Sequence, residues 1–296
     1  MIQLELTPAS PLVSVLIATY NRASTLRYAL ESVLWQTFQD FEVWVIGDCC
    51  TDDSARVVES FHDPRLHWLN LPENSGFQSV PHNEGLRRSR GKYIAYLNHD
   101  DIWLPEHLQL LVRALEKNDA DFAYGLLEWV TPWRPPYTEI PVYPFATYLP
   151  EVSTVLHRRT ILDLVGFWKL PGETITYPGT DYLRRAQYKG ARFVLVPALT
   201  VLKFAWGGGY SELGLQQEYA ARLKTDPKFA EKELAALLVQ AAAEHESPLR
   251  LKRLRYQLGA SLRLLLIRLK IDPSRLRFWK RPGQDYRRWL RGHLNE

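Results

Sequence analysis

Four short apolar runs constrain this chain more than any other feature: Val13 to Ala18, Phe41 to Ile46, Leu66 to Leu69 and Tyr93 to Leu97. The first, Val-Ser-Val-Leu-Ile-Ala, is nearly continuous, as a strand covered on both faces must be. Leu26, Ala29, Leu30, Val33 and Leu34 follow it at helical spacing. After the second run, Thr51-Asp52-Asp53-Ser54 opens a helix striped by Val57, Val58 and Phe61. Strands that alternate with helices build a parallel, doubly wound sheet. The expected fold is therefore α/β.

The stretch Arg90 to Pro105 carries the densest chemistry. A strand entered through Gly91 ends at Asn98-His99-Asp100-Asp101, and Pro105 opens a helix with Leu104, Leu108, Leu111, Val112 and Leu115 on one stripe. Open α/β sheets hold ligands at the carboxyl ends of their strands, where Asp100 and Asp101 put two hard oxygen donors. Adjacent aspartates before a helix also serve simply as caps. On this loop alone a cation site and a capping turn stand level. The loops after the first two strands, with Thr19 to Arg22 and Asp48, should face the same crevice. There Tyr20 could stack on a base, Asp48 could accept hydrogen bonds from a base or ribose, and Arg22 could meet phosphate.

Composition narrows the setting. In 296 residues, 46% hydrophobic and 12% aromatic, a sizeable core is expected. Cys49 and Cys50 are the only cysteines. As sequence neighbours they make poor disulfide partners, which points to a reducing compartment. No secretory leader precedes Leu12 and no apolar run reaches membrane-span length, so a cytoplasmic location is expected. The net charge of +4 is uneven: residues 248–296 hold 14 Lys and Arg against 3 acidic residues.

Four ordered blocks carry a resemblance. They are Val-Ser-Val-Leu-Ile-Ala-Thr-Tyr-Asn-Arg, Leu-Trp-Gln-Thr-Phe-Gln-Asp-Phe-Glu-Val-Trp-Val-Ile-Gly-Asp, Asn-Ser-Gly at 74–76, and Gly-Lys-Tyr-Ile-Ala-Tyr-Leu-Asn-His-Asp-Asp-Ile-Trp-Leu-Pro. In order and spacing, residues 12–117 resemble the family-two inverting glycosyltransferases of the GT-A fold. The resemblance implies a Rossmann-like, mainly parallel sheet flanked by helices. It implies binding of a nucleotide-diphosphate sugar, a UDP-sugar first, by Ala18, Thr19, Tyr20, Arg22, Asp48, Asn98 and Asp100. Asp100 maps onto the element that holds Mn2+ or Mg2+ across the diphosphate. The chain departs from the family at Asn98, where Asp is usual; Asn offers an oxygen without a charge. His99, at a position tolerant of many residues, is left out of the site.

Further along, Asp121 to Gly125 reads as a strand. Pro132 to Pro144, with Trp133 and Tyr137, is a stiff aromatic loop that could serve an acceptor or cover the sheet. Thr180 is a candidate cap for a helix that Gly190 stops, with Asp181 in its first turn. The resemblance places the catalytic base at this acidic position, so Asp181 is expected to take the acceptor proton; Thr180 stands where the family usually has Glu. Phe193 to Val196 and Thr200 to Phe204 read as two closing strands. Relatives carry a metal-binding His near Trp206, where this chain has none, and Gly207-Gly208-Gly209 reads as a lid or a linker.

The expected organisation is a catalytic domain over 1–210, with a donor half at 12–125 and an acceptor half at 126–210. A basic helical extension follows over 211–296. Leu251, Leu254, Leu258, Leu262, Leu265 and Leu269 stripe that extension. It could pack on the domain, pair with a second copy as a homodimer, or lie on an anionic membrane surface. No nucleic-acid-binding pattern is present. The expected activity is metal-assisted, inverting transfer of a sugar to the hydroxyl of a saccharide or lipid-linked acceptor in surface polysaccharide or glycoconjugate synthesis. The alternative is a sugar-nucleotide-binding or scaffolding protein without activity.

Overall fold

The computed structural model describes residues 10–130, 137–138, 149–204 apart from 171 and 175, and 212–236 apart from 227 and 230. The aromatic loop at 132–136, Trp206 with the triglycine, and the basic extension beyond 236 lie outside the described residues.

The apolar runs form strands where expected: β1 (Val13–Thr19), β2 (Phe41–Gly47), β3 (Leu66–Asn70) and β4 (Tyr93–Tyr96). Helices α1 (Ala23–Leu34), α2 (Ser54–Glu59) and α3 (Ser79–Arg88) cross between them. The first four strands are parallel, in spatial order β3-β2-β1-β4. In β1, Val13, Val15, Leu16 and Ile17 have no exposed surface, which is why that run is almost unbroken.

Beyond β4 the chain builds a mixed leaf. Strand β5 (Asp101–Trp103) starts inside the acidic stretch and leads to α4 (His107–Lys117). Then follow β6 (Phe122–Val130), the short β7 (Tyr137–Thr138), a 3-10 turn at Val152–Thr154 and β8 (Val155–Arg158). Helices α5 (Ile161–Val165) and α6 (Pro178–Tyr188), strand β9 (Phe193–Phe204) and helix α7 (Glu212–Thr225) complete the described fold. The full order is β3-β2-β1-β4-β8-β6-β9-β5, with β7 paired to β6. This is the α/β sheet expected, mainly parallel and flanked by helices.

Three local expectations are corrected. The strand at Asp121 to Gly125 continues to Val130, with Leu126, Leu127 and Val130 all buried and paired to β9. The two closing strands are one, and the β6–β9 register shifts between Tyr124 and Leu126, opposite Leu195 to Leu199. Pro197 falls inside that shift, where a residue without an N–H costs no ladder bond. Thr180 does not cap α6: the helix begins at Pro178, whose missing N–H suits a first-turn position.

Three apolar clusters fix the layers. One lies between β1, β2 and β4 and helices α1 and α4, and a second joins α3, β4 and α6 around Tyr96, Trp168 and Tyr182. The third seats α7 on β5, β6 and β9 through Tyr219 and Ala220. Burying one such side chain contributes about 1.5–3 kcal/mol.

Candidate active site

Parallel pairing brings the ends of β1, β2 and β4 to one edge of the sheet. Thr19 lies opposite Gly47, and Leu16 opposite Tyr96. Loops four residues or fewer beyond those ends therefore meet, and hydrogen bonds lock them together. The Asp48 amide donates to the Thr19 carbonyl at 2.8 Å, and His99 Nδ1 donates to the Ala18 carbonyl at 3.1 Å. Ala18, Thr19, Tyr20, Arg22, Asp48, Asn98 and Asp100 are thus collected along one edge.

Within that edge each predicted residue has a definite situation. Asn21 adopts a left-handed backbone with φ 49°, and its Oδ1 accepts from Thr51 N at 2.8 Å and Asp52 N at 3.3 Å. That contact joins the β1 and β2 loops and leaves Tyr20 48% exposed at the rim. Asp52 Oδ2 in turn accepts from Ala23 N at 2.9 Å, so α1 is capped from the neighbouring loop. Arg22 lies at the start of α1 and donates to Asn21 O at 3.1 Å.

Asp48 is buried and well supplied with donors. It accepts from Ser75 Oγ at 2.8 Å, Ser75 N at 3.0 Å and Gly76 N at 3.1 Å. Its carboxylate holds the 74–76 turn, with Gly76 at φ 64°, beside this edge.

The acidic loop is built around Asp101, which has no exposed surface. A single oxygen, Oδ2, receives Ser153 Oγ at 2.5 Å, Asn98 Nδ2 at 3.0 Å and Lys203 Nζ at 3.3 Å. Burial raises the Asp101 carboxyl above the ordinary range, against the pull of Lys203. Burial alone would lower the Lys203 ammonium, but Asp101, Glu151 and Asp100 outweigh it and hold it charged. Asn98 also donates its backbone N–H to Ser153 Oγ at 3.1 Å. Its amide donor explains the residue: an aspartate there would set a second carboxylate against Asp101. Asp100 is 9% exposed, and Gln216 Nε2 donates to its backbone carbonyl.

Asp181 comes from the other half of the fold. Arg185 Nε donates to its Oδ2 at 2.7 Å, while the other guanidinium nitrogens bind the carbonyls of Phe167, at 2.8 Å, and Val165. The first turn of α6 packs against the 152–154 turn so closely that a Cβ on Gly179 would come within 2.5 Å of Val152. Ser153 in that same turn binds Asp101, so α6 and the acidic loop share one support. Behind it, Tyr96 Oη accepts from Trp168 Nε1 at 3.1 Å and lies 3.2 Å from His157 Nε2. Burial lowers His157 to about 4, so this ring is neutral.

Sequence reasoning missed Ser75, His99, Ser153, Lys203 and Gln216 as parts of this edge. Ser75 lies in a block that was recognised, so its neighbourhood was legible. His99 also lies in a recognised block but was set aside as a tolerant position; Ser153, Lys203 and Gln216 reach the site through side-chain contacts that no spacing announces.

Known proteins resemble this chain in sequence and in fold. The family model described as glycosyl transferase family 2 matches residues 14–162. The chain is 31% identical over 121 residues to the putative teichuronic acid biosynthesis glycosyltransferase TuaG of Bacillus subtilis, covering 40% of this chain and 48% of that protein. It is 32% identical over 117 residues to WfgD of Escherichia coli, a UDP-Glc:alpha-D-GlcNAc-diphosphoundecaprenol beta-1,3-glucosyltransferase, covering 40% and 46%. The matched region thus spans about half the length of these curated relatives. Among solved structures, S. aureus TarS 1-349 in complex with UDP-GlcNAc superposes with TM-score 0.58 at 19% identity, covering 77% of this chain and 70% of that one. The mannosyltransferase PcManGT from Pyrobaculum calidifontis, in complex with GDP-Man and Mn2+, gives TM-score 0.54 at 19% identity, covering 87% and 81%. These structures share the fold. With half of its sequence matched by the family model, the chain belongs to glycosyl transferase family 2.

Proposed function

We propose that this protein is a glycosyltransferase that moves a sugar, with inversion, from a nucleotide-diphosphate sugar to an acceptor hydroxyl in polysaccharide or glycoconjugate synthesis. The observation that carries the reading is the convergence of the β1, β2 and β4 loops on one edge, ending at the Asp100 carboxylate. The nucleoside would lie between Tyr20 and the Asp48-supported 74–76 turn, with Ala18 and Thr19 beneath it. Arg22 would face the phosphates, and Asn98 Oδ1 the ribose. UDP is the first choice of nucleotide because TarS and WfgD are named with UDP or UDP-sugars.

The residues fit a divalent cation shared with the substrate. Among the described residues no three His, Cys, Asp or Glu side chains form a complete cage. A cation such as Mg2+ needs no cage where one carboxylate and phosphate oxygens complete its shell. Asp100 would hold Mn2+ or Mg2+, which supplies charge relief at the departing diphosphate.

In the reaction a bond forms between the acceptor oxygen and the anomeric carbon, and the carbon–oxygen bond to the diphosphate breaks. The acceptor proton passes to a carboxylate, for which Asp181 is our candidate. Arg185 fixes one Asp181 oxygen and leaves the other for the proton, an oriented base in the sense of a paired catalytic group. That same ion pair favours a second reading, in which Asp181 is only the anchor of α6 and the protein binds a sugar nucleotide without transferring it. Nucleoside diphosphate release from UDP-glucose, UDP-GlcNAc and GDP-mannose, with Mn2+ and with lipid-linked and free saccharide acceptors, separates the two. Transfer abolished in Asp181→Asn, with nucleotide binding spared, supports the base; no release by the native chain with any donor supports the second reading.

Among the described residues no helix is long and apolar enough to cross a membrane. We place the protein in the cytoplasm. The striped basic extension, outside the described residues, would provide a peripheral membrane contact or a homodimer seam for a saccharide or lipid-linked acceptor.

A further inference from the structure

Helix α7 buries a seam of residues at helical spacing. Tyr219, Ala220 and the partly buried Leu215 and Leu223 pack on Ile102, Leu104, Val130 and Leu202. Gln216 sits in this seam at 1% exposure. A primary amide in an apolar seam is costly unless hydrogen-bonded, and a leucine would fill the same space better. Among the described residues Gln216 Nε2 donates to the Asp100 carbonyl. Oε1 has no partner there. The amide is therefore oriented by that single contact.

The contact falls on a sensitive peptide. The Asp100 carbonyl belongs to the peptide bond that starts β5. The next side chain, Asp101, is held by Ser153, Asn98 and Lys203. Fixing the carbonyl from α7 and Asp101 from beneath sets the backbone torsions that aim the Asp100 side chain. Lys203 and Gln216 lie on consecutive elements, β9 and α7, so one C-terminal unit grips the acidic loop from two sides. Lys224 on α7 also pairs with Glu31 of α1 at 2.8 Å, which fixes the helix lengthwise.

We propose that Gln216 is a positioning residue: through the Asp100 carbonyl, α7 holds the acidic loop in the shape that receives the cation and the diphosphate. This rests on the nucleotide-sugar reading above. It assigns a site role to a helix that lies outside the matched region and outside the donor half expected from sequence. Gln216→Met keeps length and apolar packing but removes the donor. Leu223→Ala loosens the same helix on the same face away from the loop.

The test measures UDP and GDP affinity by calorimetry on the full chain, with and without Mn2+, for the native protein and both variants. Gln216→Met is expected to weaken Mn2+-dependent binding about 3- to 10-fold, the range of one lost hydrogen bond, and to leave metal-free binding unchanged. Leu223→Ala is expected to change neither. Equal losses with and without Mn2+, equal losses in both variants, or unchanged affinity in Gln216→Met would overturn the proposal. Hydrogen exchange over 98–103 needs no ligand and keeps the two readings apart. Faster exchange in Gln216→Met but not in Leu223→Ala shows that the amide holds the loop; equal exchange refutes it. A native chain that binds neither nucleotide refutes the nucleotide-sugar reading instead.

Discussion

Glu128 offers a quantitative test of how α7 is seated. Its side chain is fully buried on β6, and neither carboxylate oxygen has a hydrogen-bond partner among the described residues. Leu202 and Thr138 lie opposite it on the neighbouring strands, and Tyr219 and Glu233 approach from the helical side. Burial, reinforced by Glu233, raises its carboxyl to about 8. In the folded protein Glu128 is then mostly protonated at neutral pH, whereas the unfolded chain ionises it near 4.5. The folded state binds more protons over this interval, so the group's contribution is least unfavourable below about pH 4.5. It worsens as pH rises to about 8 and is constant above. A shift of this size is equivalent to about 5 kcal/mol at 1.36 kcal/mol per unit. Local relaxation and water entry reduce such penalties, and about half, roughly 2 kcal/mol, is the figure to carry between pH 5 and 8. Glu128→Gln removes the ionisation and keeps the size. Its melting temperature should match the native protein at pH 5 and exceed it by about 4–8 °C at pH 8, given roughly 2–4 °C per kcal/mol for a domain of this size. Thermal melts at half-unit steps of pH would check this. A difference between the two proteins that does not vary with pH would refute the reasoning.

Other predictions follow from single contacts. Gly179→Ala sets a methyl against Val152 and should destabilise by about 1–3 kcal/mol as an overpacked contact, read as a lower denaturant midpoint. Ser75→Ala strips Asp48 of one of its donors. Nucleotide affinity should fall a few-fold, with a stability loss of about 1 kcal/mol, a typical net hydrogen bond; unchanged affinity would remove Asp48 and the 74–76 turn from the pocket. Asp181→Asn should lower the transfer rate by about 10²–10⁴, the usual contribution of a general base, with donor affinity within a few-fold of native. A rate within tenfold of native would move the base elsewhere.

Much of the fold was legible because its first hundred residues are locally consistent. Parallel strands buried on both faces are written as unbroken apolar runs, so Val13 to Ala18 and Phe41 to Ile46 announce themselves. The strand-end rule then collects the loops without further information. What sequence left dark depends on contacts between distant residues. Strand β5 is only three residues long and hides in the acidic stretch, since its stability comes from pairing with β9, about a hundred residues away. Lys203 stands among apolar neighbours in β9, and its role is hidden until Asp101 is placed opposite it. Asn98 read as a weakened cation ligand; the structure gives its amide a donor's role toward Asp101. Asp181 could be placed in a first helical turn, but its pairing with Arg185 one turn later follows only once the helix start is known to be Pro178.

A nucleotide-diphosphate site completed by Asp100 and a divalent cation is tested most directly by nucleotide binding under metal control. The full chain and Asp100→Asn would each be titrated with UDP, GDP, CMP and dTDP, with Mn2+ and with a chelator, and followed by calorimetry and by melting temperature. Saturation at about a hundred times the dissociation constant stabilises by about 2.7 kcal/mol, several degrees in the melt. One preferred nucleotide is expected, whose binding tightens with Mn2+ and loses that gain in Asp100→Asn. Binding that ignores both Mn2+ and the Asp100 substitution, or no binding of any of the four, would contradict it.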